Sequence, residues 1–100
     1  EKICKMKQTA YLINLARASI IDRDGFIKAM KEHKIAGAAL DVFWSEPMEL
    51  NDEIYSLDNV YMTPHIATST IETRTRNILE VTRSIKKVAL GEKPDYCVNM

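Results

Sequence analysis

Three short apolar runs, interleaved with a helical pattern and a loop, are the feature that most restricts the fold of this chain. They cover residues 10–15, 36–43 and 60–63, and polar or charged residues follow each of them. The first run is nearly continuous, which is typical of a strand buried on both faces of a sheet. Between the first two runs, residues 23–34 repeat apolar side chains at helical spacing. This alternation predicts an α/β domain with three parallel strands and flanking helices.

Capping residues set the expected limits of the other elements. Asp22 can cap the helix that follows it, and a further helical turn is expected near residues 52–57. The S-x-x-E pattern at residues 69–72 predicts the start of a second long helix. That helix carries an apolar stripe and is expected to end near Gly91.

Composition and charge narrow the classes of function. The chain has 100 residues, and its fourteen basic and fourteen acidic side chains give a net charge of zero. There is no broad basic field for nucleic acid, and no apolar run approaches the roughly 18 residues of a membrane-spanning helix. Cys4 and Cys97 could form a single bridge, but two reduced thiols in a cytoplasmic protein are expected instead. The chain opens without methionine in a segment patterned like a mid-domain region, so we expect the N-terminal part of a longer protein to be missing.

Three polar side chains, Arg17, Glu46 and His65, follow the three predicted strands. The carboxyl ends of parallel strands share one edge of an open sheet, and ligands bind outside that edge. We therefore expect the guanidinium, the carboxylate and the imidazole to meet in one crevice. An arginine fork suits a carboxylate ligand, and a carboxylate beside an imidazole stabilises the protonated ring and selects its tautomer. The set therefore predicts acid–base chemistry together with anion binding.

Each of these side chains also has an ordinary structural interpretation. Arg17 could be a surface residue that pairs with Asp22 or Glu46, and a loop glutamate is usually only solvated. A single loop histidine such as His65 is more often structural than catalytic. Asp41 interrupts the second apolar run. It is therefore either an aspartate bonded to backbone at a strand end or an acceptor for the amide of a ligand.

Several other kinds of site are not indicated. Cys4, His33, His65 and Cys97 lack the close paired spacings of zinc sites, so no metal site is predicted. His33 lies at a helix end, where capping of the last carbonyls is the expected role. The sequence contains no G-x-S-x-G, P-loop or G-x-G-x-x-G motif. These residues alone would therefore be unable to hold the pyrophosphate of a dinucleotide.

Three motifs, collinear over nearly the whole chain, resemble those of the D-isomer-specific 2-hydroxyacid dehydrogenases. They are AYLINLAR at 10–17 with MK before it and Asp22 after it, IAGAALDVF at 35–43 followed by Glu46-Pro47, and NV at 59–60 followed by TPHIA at 63–67. The resemblance implies a partial Rossmann-like, doubly wound parallel sheet. Residues 1–100 would be the C-terminal portion of a dinucleotide-binding domain, without its glycine-rich half and without the substrate domain.

The resemblance also implies roles for individual residues. The family's catalytic arginine, glutamate and histidine correspond to Arg17, Glu46 and His65. In the implied mechanism the arginine binds the substrate carboxylate, the histidine exchanges a proton with the 2-keto oxygen, and the glutamate supports the protonated ring. The family's cofactor contacts correspond to Leu15, Ala16, Arg17, Asp41, His65, Ile66, Ala67 and Thr68. The expected cofactor is NAD by family default, the substrate a small 2-keto or 2-hydroxy acid, and the assembly a homodimer.

Two other functions are compatible with the same residues. One is a non-catalytic NAD(H)-sensing or corepressor-like binding module, since the family includes such proteins. The other is a remnant that self-associates through strand edges and apolar surface. The sequence also departs from the family at Ala18 and Thr68, where glycine is usual. If either position needs a positive φ, its backbone would be strained close to the cofactor.

Overall fold

The computed structural model describes residues 2–98, which divide into two compact units, Glu1–Ala67 and Thr68–Met100. The elements of the first unit are β1 (Tyr11–Asn14), α1 (Arg23–Lys31), β2 (Gly37–Leu40) and β3 (Val60–Met62), with short 3-10 helices at Ile3–Lys5, Ala18–Ile20 and Glu53–Ser56. The second unit contains the long helix α2 (Ile71–Ala89). The helical turn predicted near residues 52–57 is therefore confirmed.

The three strands form one parallel sheet in the order β1-β2-β3, which confirms the predicted α/β fold. Gly37, at the start of β2, allows the backbone of Asn59, next to β3, to approach closely. A Cβ atom there would lie 2.7 Å from the carbonyl oxygen of Asn59. The same oxygen accepts a hydrogen bond from the Ala38 N–H at 2.9 Å, so the ladder between β2 and β3 begins at this contact.

The core lies between α1 and one face of the sheet. Phe26 and Met30, four residues apart on α1, are fully buried and pack in one cluster with Ile35, Leu40 and Ile54. Full burial of an apolar side chain of this size contributes about 1.5–3 kcal/mol. The packing fixes α1 against the sheet, and the loops at the carboxyl ends of the strands start from that base.

The other face of the sheet is exposed, so the prediction that the first strand is buried on both faces is wrong. Tyr11 and Ile13 on β1 are each 69% exposed, and Tyr61 on β3 is 78% exposed. The register places Ile13, Ala39 and Tyr61 side by side on this face. The apolar run indicates a face suited to burial, but no described residue of the first unit buries it.

The second strand and the first helix both end earlier than predicted. β2 stops at Leu40, so Asp41 lies one residue beyond the strand and not inside it. α1 ends at Lys31 because His33 adopts the left-handed backbone conformation, with φ 46. Such a conformation usually falls on glycine after a helix, and the sequence gives no glycine there.

The side chain of His33 does not cap a helix carbonyl, contrary to the prediction. Its Nδ1 atom faces the Asn59 amide nitrogen at 3.3 Å. That amide nitrogen donates to the carbonyl oxygen of Met30 at 3.2 Å. Asn59, which directly precedes β3, therefore provides a hydrogen-bond donor for a carbonyl at the C-terminal end of α1.

The N-terminus of α2 differs from the prediction, whereas its C-terminus agrees with it. Thr70, and not Ser69, is the N-cap, and its hydroxyl oxygen accepts from the Thr73 N–H at 3.1 Å. The predicted capping box at residues 69–72 is therefore wrong by one residue. Gly91 follows the helix with φ 76, as predicted. Among residues 2–98, no helix has both the length and the apolar character needed to cross a membrane.

Candidate functional site

Arg17, Glu46 and His65 lie beyond the carboxyl ends of β1, β2 and β3 respectively. All three line one cleft of about 420 Å³. The other residues that line this cleft are Ala18, Ser19, Val42, Phe43 and Trp44. The structure thus brings the three side chains together, as the strand-end argument predicted. Their catalytic roles stay predictions.

Glu46 and His65 form a direct hydrogen-bonded pair. The Oε2 atom of Glu46 lies 2.7 Å from the Nδ1 atom of His65, and Oε1 accepts from the Phe43 N–H at 2.9 Å. The bond with His65, and after it the bond from Phe43, lower the pKa of Glu46 below its usual value. An ionised glutamate can only accept, so Nδ1 carries the proton of this bond. The Nε2 atom is then the one that can exchange a proton with a ligand.

The Glu46–His65 pair is open to the cleft. The Glu46 side chain is 38% exposed and that of His65 is 48% exposed. Trp44 fixes the loop that carries Glu46, because its indole N–H donates to the Ile21 carbonyl at 2.8 Å and its ring lies 5.6 Å from that of Phe26. The loop is therefore attached to the core, while the two functional groups remain within reach of a small ligand.

Arg17 forms an ion pair with neither Asp22 nor Glu46, the two partners considered from the sequence. No carboxylate of residues 2–98 lies within 4.0 Å of its guanidinium, so the alternatives of Asp22 and Glu46 as partners are wrong. Its Nη1 atom donates to the carbonyl of Ala16 at 2.6 Å. Its charge is still close enough to contribute to the lowered pKa of Glu46. The rest of the guanidinium fork is available to an anion.

Asn14, the last residue of β1, supports the turn that carries Arg17. Its side chain is buried, and its amide nitrogen donates to the Arg17 carbonyl at 3.0 Å. Its Oδ1 atom accepts from the Ala16 N–H at 3.1 Å. Sequence reasoning gave Asn14 no role. The available signal was a polar residue inside an apolar run, which is the same signal that drew attention to Asp41.

Asp41 is only 1% exposed, and both of its oxygens bond to the segment around His65. Oδ1 accepts from the Thr63 hydroxyl at 2.5 Å and from the Ile66 N–H at 2.9 Å, and Oδ2 accepts from the Ala67 N–H at 2.8 Å. The bond from Thr63 is the largest cause of a lowered pKa of Asp41, which the desolvation of the carboxylate opposes. The geometry matches an aspartate bonded to backbone at a strand end. A contact between Asp41 and a cofactor stays a prediction.

Left-handed backbone occurs at His65 itself, where φ is 53. Among residues 2–98, neither Ala18 nor Thr68 has a positive φ, so the strain considered for those two positions does not arise. A residue other than glycine in this region stores on the order of 1–3 kcal/mol and persists only where its surroundings hold it. Asp41 and Thr63 supply such surroundings.

The remaining predicted cofactor contacts lie in the same two loops. Leu15 and Ala16 precede Arg17 and are exposed, as are Ile66 and Ala67 after His65. Thr68 begins the second unit. In the described part of the chain, no three histidine, cysteine or acidic side chains are grouped so that they could hold a metal ion.

A second cleft, of about 450 Å³, also contains Phe43, Glu46 and His65. Apolar side chains form most of its remaining wall, among them Met48, Tyr55, Met62 and the two prolines Pro47 and Pro64. The sequence did not indicate this cleft, because its walls come from residues in separate segments between positions 43 and 65.

Comparisons with known proteins point to one family. The profile described as "D-isomer specific 2-hydroxyacid dehydrogenase, NAD binding domain" matches residues 1–67. A glyoxylate reductase of Thermofilum pendens is 48% identical over 99 residues, which cover 99% of this chain and 29% of that protein.

Two solved structures show the same likeness. A D-isomer specific 2-hydroxyacid dehydrogenase from Xanthobacter autotrophicus, in complex with NADPH and MES, has a TM-score of 0.83 at 30% identity over 98% of this chain and 40% of that one. D-lactate dehydrogenase from Lactobacillus jensenii with NAD⁺ has a TM-score of 0.73 at 30% identity over 99% of this chain and 34% of that one.

The chain spans less than a third of the length of the glyoxylate reductase that it matches. The family profile nevertheless covers well over half of the chain, including all three strands and the residues of both site loops up to Ala67. This chain belongs to the NAD-binding domain family of the D-isomer specific 2-hydroxyacid dehydrogenases.

Proposed function

We propose that this chain is the C-terminal portion of the dinucleotide-binding domain of an NAD-dependent enzyme that interconverts small 2-keto and 2-hydroxy acids. The observation that carries the proposal is the meeting of Arg17, Glu46 and His65 at one cleft, with 2.7 Å between the carboxylate and the imidazole. The chain spans 29% of the length of the glyoxylate reductase that it matches, and we propose that the full-length protein also has a glycine-rich half and a substrate domain.

Each of the three side chains has one role in the proposed reaction. Arg17 binds the substrate carboxylate through its planar fork and polarises the neighbouring keto oxygen. His65 donates a proton from Nε2 to that oxygen during reduction and takes it back during oxidation. Glu46 accepts the Nδ1 hydrogen bond and stabilises the protonated ring. A positioned proton donor of this kind typically contributes about 10²- to 10⁴-fold in rate.

The residues present fit the nicotinamide end of NAD and not its pyrophosphate, because the sequence has no glycine-rich phosphate loop. Asp41 is only 1% exposed and both of its oxygens bond to the segment around His65, so the proposed contact with the carboxamide requires a small opening of this segment. When bound, the reduced cofactor supplies the hydride. NAD is proposed over NADP on the family description alone. The proposed contacts are Leu15, Ala16, Arg17, Asp41, His65, Ile66, Ala67 and Thr68.

The proposal also covers the localisation, the oligomeric state and the partners of the enzyme. We propose a cytoplasmic homodimer whose partner molecule is a small 2-keto or 2-hydroxy acid, with no nucleic-acid or membrane partner. The formal net charge of zero supports the absence of nucleic acid, since a nucleic-acid-binding surface needs an excess of basic residues.

The test compares the two histidines of the chain in a full-length protein that carries it. Both have left-handed backbone, with φ 53 at His65 and φ 46 at His33, and asparagine tolerates that conformation. We expect His65→Asn to lower kcat for glyoxylate reduction by about 10²- to 10⁴-fold, measured as NADH oxidation. His33→Asn is the matched control and should retain the rate of the unmodified protein.

The isolated 100-residue chain is a second control and should show no turnover. An unchanged rate in His65→Asn would refute the role of His65 as the acid. The alternative of a non-catalytic NAD(H)-sensing module predicts NADH binding without turnover in the full-length protein. A fluorescence titration with NADH beside the same assay separates these two functions.

A further inference from the structure

Asp41 connects the ends of all three strands. It directly follows β2, and its own N–H donates to the carbonyl of Asn14 at the end of β1, at 3.0 Å. Its carboxylate accepts three hydrogen bonds from the segment that follows β3, two on Oδ1 and one on Oδ2. Its backbone is therefore fixed by the sheet, while its side chain holds the loop that carries His65.

The three donors bracket His65 on both sides. Thr63 precedes it by two residues, and Ile66 and Ala67 follow it directly. Between them the chain makes a tight turn, in which the His65 N–H donates to the Thr63 carbonyl at 2.9 Å and φ of His65 is 53. An unfavourable backbone conformation of this kind needs several fixed contacts around it.

The chemistry of these contacts requires an ionised aspartate. A carboxylate accepts on both oxygens, and hydrogen bonds to a charged acceptor are stronger than those between neutral groups. An asparagine in the same place would direct an amide N–H₂ at a backbone N–H. Burial of the charge is tolerated because the loop donors replace water.

We propose that Asp41 is a positioning residue, which directs the His65 imidazole toward Glu46 and the cleft by holding the backbone on both sides of His65. Its effect on turnover rests on the proposed function, whereas its effect on the loop does not. A displacement of a reacting group by about 1 Å can lower a rate by roughly 10²-fold. The loss is therefore expected in kcat more than in KM.

Three variants of the full-length protein test the proposal. Asp41→Asn removes the acceptor for the Ala67 N–H, and Thr63→Val removes the hydroxyl that bonds to Asp41. Ile35→Val, at a fully buried residue that precedes β2 by two positions, is the control for a general loss of stability. The readouts are kcat and KM for glyoxylate, thermal stability, and amide hydrogen exchange at Ile66 and Ala67.

We expect Asp41→Asn to lower kcat by about 10- to 100-fold, with little change in the KM for glyoxylate. Exchange at the Ile66 and Ala67 amides should become several-fold faster. Thr63→Val should show the same pattern with smaller changes. Ile35→Val should lower thermal stability without either effect. If Asp41→Asn does not fold, Thr63→Val decides the outcome.

The proposal is overturned if the loop amides exchange at the unmodified rate in both site variants. It is also overturned if kcat falls no further than in Ile35→Val at an equal loss of thermal stability. A raised KM for NADH with unchanged exchange would assign Asp41 to cofactor contact and reject the positioning role. If the unmodified protein reduces none of a set of small 2-keto acids, the proposed function fails, and the exchange measurements alone decide whether Asp41 holds the loop.

Discussion

Asn14 and Asp41 are the buried polar side chains within residues 2–98, and each of them holds a loop of the candidate site. Asn14 bonds to both sides of the peptide link before Arg17, through the Ala16 N–H and the Arg17 carbonyl. Buried polar groups need partners, and here the partners are backbone atoms of the loops that present the functional groups. At the scale of single residues, the two buried polar side chains therefore hold in place the loops that carry Arg17 and His65.

The variant Asn14→Leu tests whether the hydrogen bonds of Asn14 position Arg17 or only stabilise the fold. Asn14→Leu leaves the Ala16 N–H and the Arg17 carbonyl without their partner, so we expect a free energy of unfolding lower by about 1–3 kcal/mol. Because Arg17 is the proposed carboxylate ligand, the KM for glyoxylate should rise more than kcat falls. Urea unfolding and steady-state kinetics of the full-length protein measure the two effects. Lower stability with an unchanged KM would limit Asn14 to a structural role.

The catalytic candidates could be predicted from the sequence, whereas the residues that support them could not. Arg17, Glu46 and His65 follow apolar runs, and parallel strands deliver such residues to one edge whatever the details of the loops. The partners of Asn14 and Asp41 depend on the path of each loop within a few ångströms. Periodicity and composition carry no information at that distance.

At the scale of elements, the start of α1 follows directly from one residue. Asp22 accepts a hydrogen bond from the Gly25 N–H at 2.8 Å and satisfies an otherwise free donor of the first turn. We expect Asp22→Ala to lower the free energy of unfolding by about 0.5–2 kcal/mol in urea titrations. Asp24→Ala is the matched control, because the Asp24 side chain is 94% exposed and lies in the same turn. Equal losses in the two variants would contradict the capping role.

The ends of elements were harder to predict than their existence. α1 stops at Lys31 because a histidine takes the left-handed position that glycine usually occupies, and residue type alone does not reveal this. Ser69 and Thr70 are both good N-cap residues, so the sequence does not decide between them. The backbone decides, since Thr70 is the residue whose oxygen faces the Thr73 N–H.

At the scale of the whole molecule, the lowered pKa values of three carboxylates predict how the stability of the fold depends on pH. The pKa values of Asp41, Glu46 and Glu53 are lowered below their usual 3.8, 4.5 and 4.5, chiefly by hydrogen bonds from Thr63, His65 and Lys31 respectively. With the pKa lower in the folded than in the unfolded state, the unfolded chain binds more protons in acid. These groups therefore stabilise the fold above their usual pKa values, and this contribution is lost as the pH falls through the folded ones.

We expect the urea midpoint of unfolding to fall as the pH decreases from about 5 to about 3. Asp41→Asn should show a weaker decrease over the same range, because it has no carboxylate to protonate at this position. A midpoint of the unmodified protein that is constant down to about pH 3 would contradict the assignment of these groups.

The family and the fold class could be predicted because both depend on local order along the chain. The alternation of strands and helices and the three motifs can be seen without knowing any contact. The exposed face of the sheet could not be predicted in this way. Tyr11 and Ile13 give the first strand an apolar pattern, but burial depends on what packs against it.

Asn14 and Asp41 are also bonded to each other, through the Asn14 carbonyl and the Asp41 N–H. One of them anchors the arginine turn and the other anchors the histidine turn. The turns that carry Arg17 and His65 are therefore linked through one backbone hydrogen bond between the ends of β1 and β2. We therefore expect the distance between the guanidinium and the imidazole to vary less than it would if the two turns were anchored independently of each other.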